Sequence, residues 1–157
     1  MGAIPAIAQP FSTAMRTPDR RPAITGILEE ETKMTKAIRF DPSTHVVALN
    51  RGLSASLVPE RPDPPIPVSG VTFGIATMTE NSPHGGEMHP DGDELLYLIS
   101  GRVRVTLETD PVEIVEIAPG DGLIVPKGIW HTVDIVEPSQ IVYVTPGPNN
   151  KFRPLAE

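Results

Sequence analysis

The chain has 157 residues, a formal net charge of −7, a pI of about 5.1 and no cysteine. This length suits one domain, and the lack of cysteine excludes disulfide bonds and thiolate metal sites. An acidic chain without a Lys/Arg cluster is not expected to bind nucleic acid, and no apolar run approaches the roughly 20 residues of a membrane span. We therefore expect a soluble protein of the cytoplasm.

Residues 1–36 differ in composition from the rest of the chain. They contain four prolines, scattered charges and no sustained hydrophobic period, which is typical of a flexible N-terminal extension. Met34 could also be the natural start of the protein. We expect residues 37–150 to form the folded domain and residues 151–157 to form a short tail.

Short apolar segments separated by Gly and Pro fill most of residues 37–150. Alternating or continuous apolar patterns predict β-strands, while the proline-rich segment 59–68 predicts an extended surface loop. No segment predicts a helix of more than two turns. The predicted strands cover residues 44–49, 53–58, 70–79, 95–99, 102–108, 112–117, 123–125, 130–136 and 140–145. Such a pattern indicates an all-β sandwich or barrel.

Three potential metal ligands lie close together in the stretch from Pro83 to Gly101. In a strand, alternate side chains share a face, so Glu87 and His89 are expected to point the same way. The segment 90–93, Pro-Asp-Gly-Asp, favours a turn. That turn would bring Glu94, at the start of the next strand, back beside His89. Carboxylate and imidazole groups on one face favour a metal site.

A second stretch, residues 120–131, contains a turn, a short apolar strand, a Pro-Lys-Gly turn and then His131 at the start of another strand. Together the two stretches resemble the two signature motifs of the cupin superfamily. The residues that match these motifs in identity and spacing are His89, Glu94, Gly101, Gly120, Pro126, Gly128 and His131. The resemblance covers about residues 68–146.

Three positions depart from the family pattern. Glu87 stands where the first histidine of the first motif is usual, Ile135 stands where the second motif ends in Asn, and Asn81 replaces the first Gly. The fold implied by the resemblance is the cupin double-stranded β-helix, a jelly-roll barrel. The implied oligomer is a homodimer, in which the N-terminal extension could be an arm that adds a strand to a neighbouring subunit.

The resemblance also implies a divalent metal held by Glu87, His89, Glu94 and His131. Two imidazoles and two carboxylates favour Fe(II) or Mn(II), with Zn or Ni as alternatives. If Glu87 lies outside the coordination sphere, the ligands reduce to His89, Glu94 and His131. A site without metal is the remaining alternative.

His84 is the candidate catalytic residue. A regular strand would turn it away from Glu87, but a bulge at Gly85–Gly86 could return it to the inner face. It would then be a replacement ligand or a general base, whereas a position on a surface loop is the other interpretation. We interpret His45 and Trp130 as structural, and Tyr97 and Tyr143 as sheet residues, either of which could reach the cavity. Arg102 and Arg104 are expected to be solvated, with a role as anchors for an acidic substrate as the alternative.

The function implied by this reading is a small metal-dependent cupin enzyme, of oxidoreductase type. It would act on a small oxygen-rich molecule by dioxygenase, decarboxylase or isomerase chemistry. One alternative is a non-catalytic cupin that binds or senses a small ligand. A third is a metal-independent sugar-modifying enzyme with His89 or His131 as its base.

Overall fold

A computed structural model describes residues 36–60 and 66–155 of the chain, and these residues form nine strands without an α-helix. The strands are β1 (His45–Asn50), β2 (Ala55–Pro59), β3 (Gly70–Met78), β4 (Glu87–Met88), β5 (Glu94–Leu107), β6 (Glu113–Ile117), β7 (Gly122–Val125), β8 (His131–Gly147) and β9 (Lys151–Phe152). The all-β prediction is confirmed. The expectations for residues 1–35, for the middle of the proline-rich loop and for the last two residues lie outside the described part.

The described residues include no helix with the length and apolar character to span a membrane.

Two long strands replace pairs of shorter predicted strands. The segments 95–99 and 102–108 belong to β5, and the segments 130–136 and 140–145 belong to β8. The strands β5 and β8 do not end at Gly101 or Pro138, because irregular pairing accommodates both residues in a bulge. Gly101 has a φ of +83°, and a Cβ on it would lie 2.2 Å from the carbonyl oxygen of Pro138. Only glycine fits this bend.

The strands form one antiparallel sheet that has two halves joined by β5 and β8. In the first half the order is β2-β1-β3-β8-β5-β7, and in the second it is β9-β4-β8-β5-β6. The first half uses the beginning of β5 and the end of β8, whereas the second half uses the end of β5 and the beginning of β8. Both long strands therefore run through the bend from one half to the other.

The sheet curls back on itself. A straight strand of the 17 residues in β8 would be about 55 Å long. However, His131 at its start and Thr145 near its end both contact the side chain of Glu94. The two halves must therefore face each other, with the inner side chains of both between them.

The enclosed core is aliphatic and draws on both halves of the sheet. Its buried members are Leu96, Leu98, Val103, Val105, Leu107, Ile117, Val125 and Ile141. In β5 the inward positions are even-numbered before the bulge and odd-numbered after it. The bulge thus changes the phase of the strand, and it keeps both ends of β5 directed into one core.

The outer side of the first half is also apolar. Register places Phe73, Val144, Leu95 and Ile124 side by side on four neighbouring strands, and the last two are 46% and 61% exposed. The inner side of the same half carries Leu96 and faces the core. Hydrophobic alternation alone therefore did not distinguish the inner face of this half from the outer one.

We predict that Leu98→Ala lowers the free energy of unfolding by about 2–5 kcal/mol, because it leaves a cavity in place of a side chain that is 0% exposed. The matched control Ile124→Ala, on the exposed face, should change it by less than about 0.5 kcal/mol. Urea denaturation of both variants measures the difference, and equal losses would contradict the placement of the core.

Candidate metal centre

The structure brings Glu87, His89, Glu94 and His131 into one cluster, in which a ligand atom from each residue lies within 4.8 Å of the others. Glu87 belongs to β4, and His89 follows its last residue. Glu94 and His131 are the first residues of β5 and β8. Three strands from both halves of the sheet thus contribute to the cluster.

Register and turn geometry explain why these side chains meet. Glu87 pairs directly with His131 across β4 and β8. The turn that follows His89 is held by two hydrogen bonds to the second motif. The backbone N–H of Lys127 donates to the Asp93 carboxylate at 2.7 Å, and the N–H of Gly128 donates to the carbonyl of His89 at 3.1 Å. The two motifs therefore fix each other's position.

Glu94 is at the centre of the cluster. Its Oε2 lies 3.2 Å from Nε2 of His131 and 3.3 Å from Nε2 of His89. The Glu87 carboxylate lies slightly farther away, 3.7 Å from His131 and 3.9 Å from His89. Donors bound to one ion at about 2.1 Å and at right angles would be about 3 Å apart. The observed separations are close to that spacing.

The innermost atoms of the cluster have no hydrogen-bond partner. His89, Glu94 and His131 are 2%, 3% and 1% exposed, and Nε2 of both histidines and Oε2 of Glu94 are buried and unpaired. Unpaired buried polar atoms are costly. A cation among them would satisfy all three at once, so these residues fit a metal ion.

The other polar atoms of the same side chains are hydrogen bonded. Nδ1 of His89 lies 3.1 Å from Oδ1 of Asn150, and Nδ1 of His131 lies 3.4 Å from the carbonyl oxygen of Ile129. The hydroxyl of Thr145 donates to Oε1 of Glu94. A ring that donates from Nδ1 to such an oxygen keeps the lone pair of Nε2 directed into the cluster.

Burial and neighbouring groups shift the pKa values of the two carboxyl groups in opposite directions. Burial acts to raise the pKa of Glu94, but contacts with His131, His89 and Thr145 outweigh it and lower the pKa to about 2. Burial and the charge of Glu94 raise the pKa of Glu87. Glu94 is therefore ionised at neutral pH, and the repulsion between the two acids would be offset by a cation.

The pKa of His89, which lies near both acids, is shifted as well. Burial acts to lower the pKa of His89, but Glu94, Asn150 and Glu87 raise it overall.

A cavity of about 580 Å³ opens beside the cluster. Glu87 and Glu94 line it, together with an apolar wall of Leu96, Val133 and Ile141. A second cavity, of about 420 Å³, reaches Glu87 and His89 from another side. Among the described residues, neither lining includes Lys or Arg.

His84 lines the larger cavity but is outside the four-residue cluster. Its ring is half-buried, lies 5.2 Å from the ring of Phe152 and has a buried Nδ1 without a hydrogen-bond partner. Gly86, with a φ of +132°, interrupts the regular strand conformation between His84 and Glu87. His84 therefore stays a candidate base rather than a fifth member of the cluster.

Residues that we interpreted as structural or solvated lie outside the cluster as well. Arg104 pairs with Glu116 at 2.6 Å, and Arg102 lies 3.7 Å from Glu137, both on the sheet surface. The ring of Trp130 stacks against the guanidinium of Arg153 at 3.8 Å. None of these arginines lines either cavity.

Tyr143 differs, because its side chain lines both cavities. A Cβ on Gly74 would lie 2.3 Å from the Tyr143 hydroxyl, so the tyrosine packs directly over this glycine. The sequence analysis did not identify two further residues that contact the cluster, Thr145 and Asn150. Strand alternation from Tyr143 could have indicated Thr145, whereas no local pattern indicates Asn150.

A comparison with protein-family models matches residues 74–145 to the cupin domain family. Residues 74–145 of this chain form a cupin domain. The prediction of a jelly-roll barrel is confirmed by the curled antiparallel sheet and by the match to the cupin domain family. The cupin domain contains Glu87, His89, Glu94 and His131, all within the matched residues.

Solved structures resemble this cupin domain at low identity. Peruvianin-I, a cysteine peptidase from Thevetia peruviana latex, is 18% identical with a TM-score of 0.47, over 55% of this chain and 58% of that one. An oxalate decarboxylase is 21% identical with a TM-score of 0.46, over 54% of this chain and 24% of that one. A cupin-2 domain protein from Shewanella frigidimarina is 17% identical with a TM-score of 0.43, over 53% and 79%. The chain thus spans less than two thirds of the first two proteins, and a comparison with curated proteins finds no match.

We predict that Thr145→Val lowers the free energy of unfolding of the metal-free protein by about 1–3 kcal/mol, because buried Glu94 loses its hydroxyl donor. Thr106→Val, a β5 substitution of the same shape away from the cluster, should change it by less than about 0.5 kcal/mol. Urea denaturation checks both values. Equal stability of Thr145→Val and the unaltered protein would show that this hydrogen bond does not stabilise the fold.

Proposed function

We propose that this cupin domain is a metal-dependent enzyme that binds a divalent ion through Glu87, His89, Glu94 and His131. The observation that carries this proposal is the convergence of three buried, unpaired ligand atoms within one cluster. Two imidazoles with two carboxylates form a mixed nitrogen and oxygen donor set, which favours Fe(II) or Mn(II) over copper.

When bound, such an ion supplies Lewis-acid polarisation or dioxygen activation at its open coordination positions. The protein contributes a pre-formed site for it. Asn150 and Ile129 orient the two imidazoles, and Thr145 orients Glu94. The apolar wall of the larger cavity, formed by Leu96, Val133 and Ile141, limits the access of water to the reacting groups.

The proposed substrate is a small molecule that binds through oxygen atoms. The lining described for both cavities offers no Lys or Arg to hold an anionic group, so the metal is the main source of positive charge at the site. A cavity of about 580 Å³ falls within the range of about 300–1,000 Å³ usual for small-molecule sites. Diketones, catechols and 2-oxo acids are therefore suitable probes, since each presents two neighbouring oxygen atoms.

We predict that the full-length protein binds Mn(II) with one site and that His131→Ala weakens this binding by more than about 100-fold, since even residues that only orient metal ligands contribute about 10–100-fold. His45→Ala is the matched control, because His45 is outside the four-residue cluster and its Nδ1 lies 2.9 Å from the hydroxyl of Thr44. Competition with a chromogenic chelator measures each dissociation constant.

Elemental analysis after supplementation with metal provides the decisive result. A metal content below about one tenth of an equivalent in the unaltered protein would exclude the metal-dependent enzyme. Oxygen uptake by the Fe(II)-loaded protein with the three probe classes then tests turnover. Metal binding without reaction of any probe, under anaerobic or aerobic conditions, would favour the non-catalytic binding or sensing module.

His84 is proposed as the group that accepts or donates a proton to the substrate. It lines the cavity that Glu87 and Glu94 also line, and its buried Nδ1 has no partner within the described structure. A substrate polar group could therefore be its partner. We propose this role for His84 and no role as a ligand.

We predict that His84→Gln lowers turnover about 10²–10⁴-fold, the usual contribution of a general acid or base, while the metal content is unchanged. Steady-state kinetics and elemental analysis of the same preparation check the two halves of this prediction. A parallel loss of metal would instead place His84 among the ligands.

A further inference from the structure

We infer that Asn150 is a positioning residue that fixes the tautomer of His89, and that the segment 148–155 exists to hold it there. We name this segment the β9 strap, since it contains β9. The inference extends the proposed function to the part of the site that lies beyond both cupin motifs, and its effect on metal affinity rests on that function.

The contact itself is short and directional. Oδ1 of Asn150 lies 3.1 Å from Nδ1 of His89. A carboxamide oxygen only accepts hydrogen bonds, so the ring proton of neutral His89 belongs on Nδ1. The lone pair of Nε2 then points at the cluster, where Oε2 of Glu94 lies 3.3 Å away.

Without Asn150 the opposite tautomer would be favoured in the metal-free protein. Nε2 of His89 lies near two carboxylates, Glu94 at 3.3 Å and Glu87 at 3.9 Å. Both are acceptors that would draw the ring proton to Nε2. A proton at that position blocks the lone pair that a metal needs. Asn150 is the group that opposes this pull from the other side of the ring.

The near end of the β9 strap is fixed beside Asn150. The backbone N–H and the side-chain amide of Asn149 donate to the Asp91 carboxylate at 2.7 and 3.0 Å. Asp91 lies in the turn between His89 and Glu94. The strap is therefore tied to the turn that carries the first motif.

The far end of the strap is fixed by different contacts. The Arg153 guanidinium pairs with Glu108 at 2.6 Å and stacks on Trp130 at 3.8 Å. Its backbone exchanges hydrogen bonds with Gly85 and Gly86. A Cβ on Gly85 would lie 2.4 Å from the carbonyl oxygen of Pro154, so the strap packs directly on this glycine.

Pairing between β4 and β9 joins these two ends. Glu87 pairs with Phe152, and Met88 pairs with Lys151. The strap thus runs along β4, the strand that carries Glu87 and leads into His89. Its position and that of the ligands are set by the same hydrogen-bonded pair of strands.

The first experiment uses the full-length metal-free protein and needs no metal. Nitrogen-15 NMR of the imidazole, at a pH where His89 is neutral, should show the Nδ1–H tautomer in the unaltered protein. Asn150→Leu, which keeps the size but lacks an acceptor, should shift His89 to the Nε2–H tautomer. Asn150→Asp should retain Nδ1–H, and Lys151→Ala, in the same strap, should leave the spectrum unchanged. An Nε2–H tautomer in the unaltered protein would overturn the inference.

The second experiment measures Mn(II) affinity for the same four proteins and for Arg153→Ala. We expect Asn150→Leu to weaken binding about 10–100-fold, the usual effect of removing a residue that orients a metal-binding histidine. Asn150→Asp should restore most of the affinity, and Lys151→Ala should leave it unchanged. Arg153→Ala should weaken binding by releasing the far end of the strap, and thermal melting verifies that each variant is folded.

The outcomes separate this inference from the proposed function. If the unaltered protein fails to bind Mn(II), the proposed function is overturned, while the NMR result still decides the role of Asn150. If the unaltered protein and Asn150→Leu bind Mn(II) equally, the positioning role is overturned and the proposed function stands.

Discussion

The structure depends on the contacts that converge on the carboxylate of Glu94. One oxygen accepts a hydrogen bond from Thr145 near the end of β8, and the other lies 3.2 Å from His131 at the beginning of the same strand. These contacts are possible only because β8 bends and the two halves of the sheet face each other. The bend that closes the fold therefore also assembles the cluster.

That closure also sets the electrostatic character of the site. Glu94 and two imidazoles are almost completely buried, and their innermost atoms face one another without forming a hydrogen bond. Burial of unpaired polar groups costs stability, and burial together with repulsion from ionised Glu94 raises the pKa of Glu87. A fold that keeps such an arrangement is suited to a cation, and the hydrogen bonds on the outer side of each ring orient it for that purpose.

Much of the site could be predicted from two short segments. Alternation within a strand places Glu87 and His89 on one side, and the Pro-Asp-Gly-Asp turn returns the chain to Glu94, because both effects are local. The prediction of separate strands around Gly101 and Pro138 failed for a physical reason. Glycine and proline usually interrupt strands, but here the close approach of their backbones forms a bulge that lets β5 and β8 continue.

The sequence by itself determined the all-β class and the identity of the four clustered residues, since these follow from local periodicity and motif spacing. Only the tertiary structure decided which face of each strand is inner, because both faces of β5 and β8 carry apolar residues in the first half of the sheet. It also decided the role of Asn150, which meets His89 across 61 residues of chain. Such a contact depends on how the sheet curls, and no local pattern of side chains encodes that curvature.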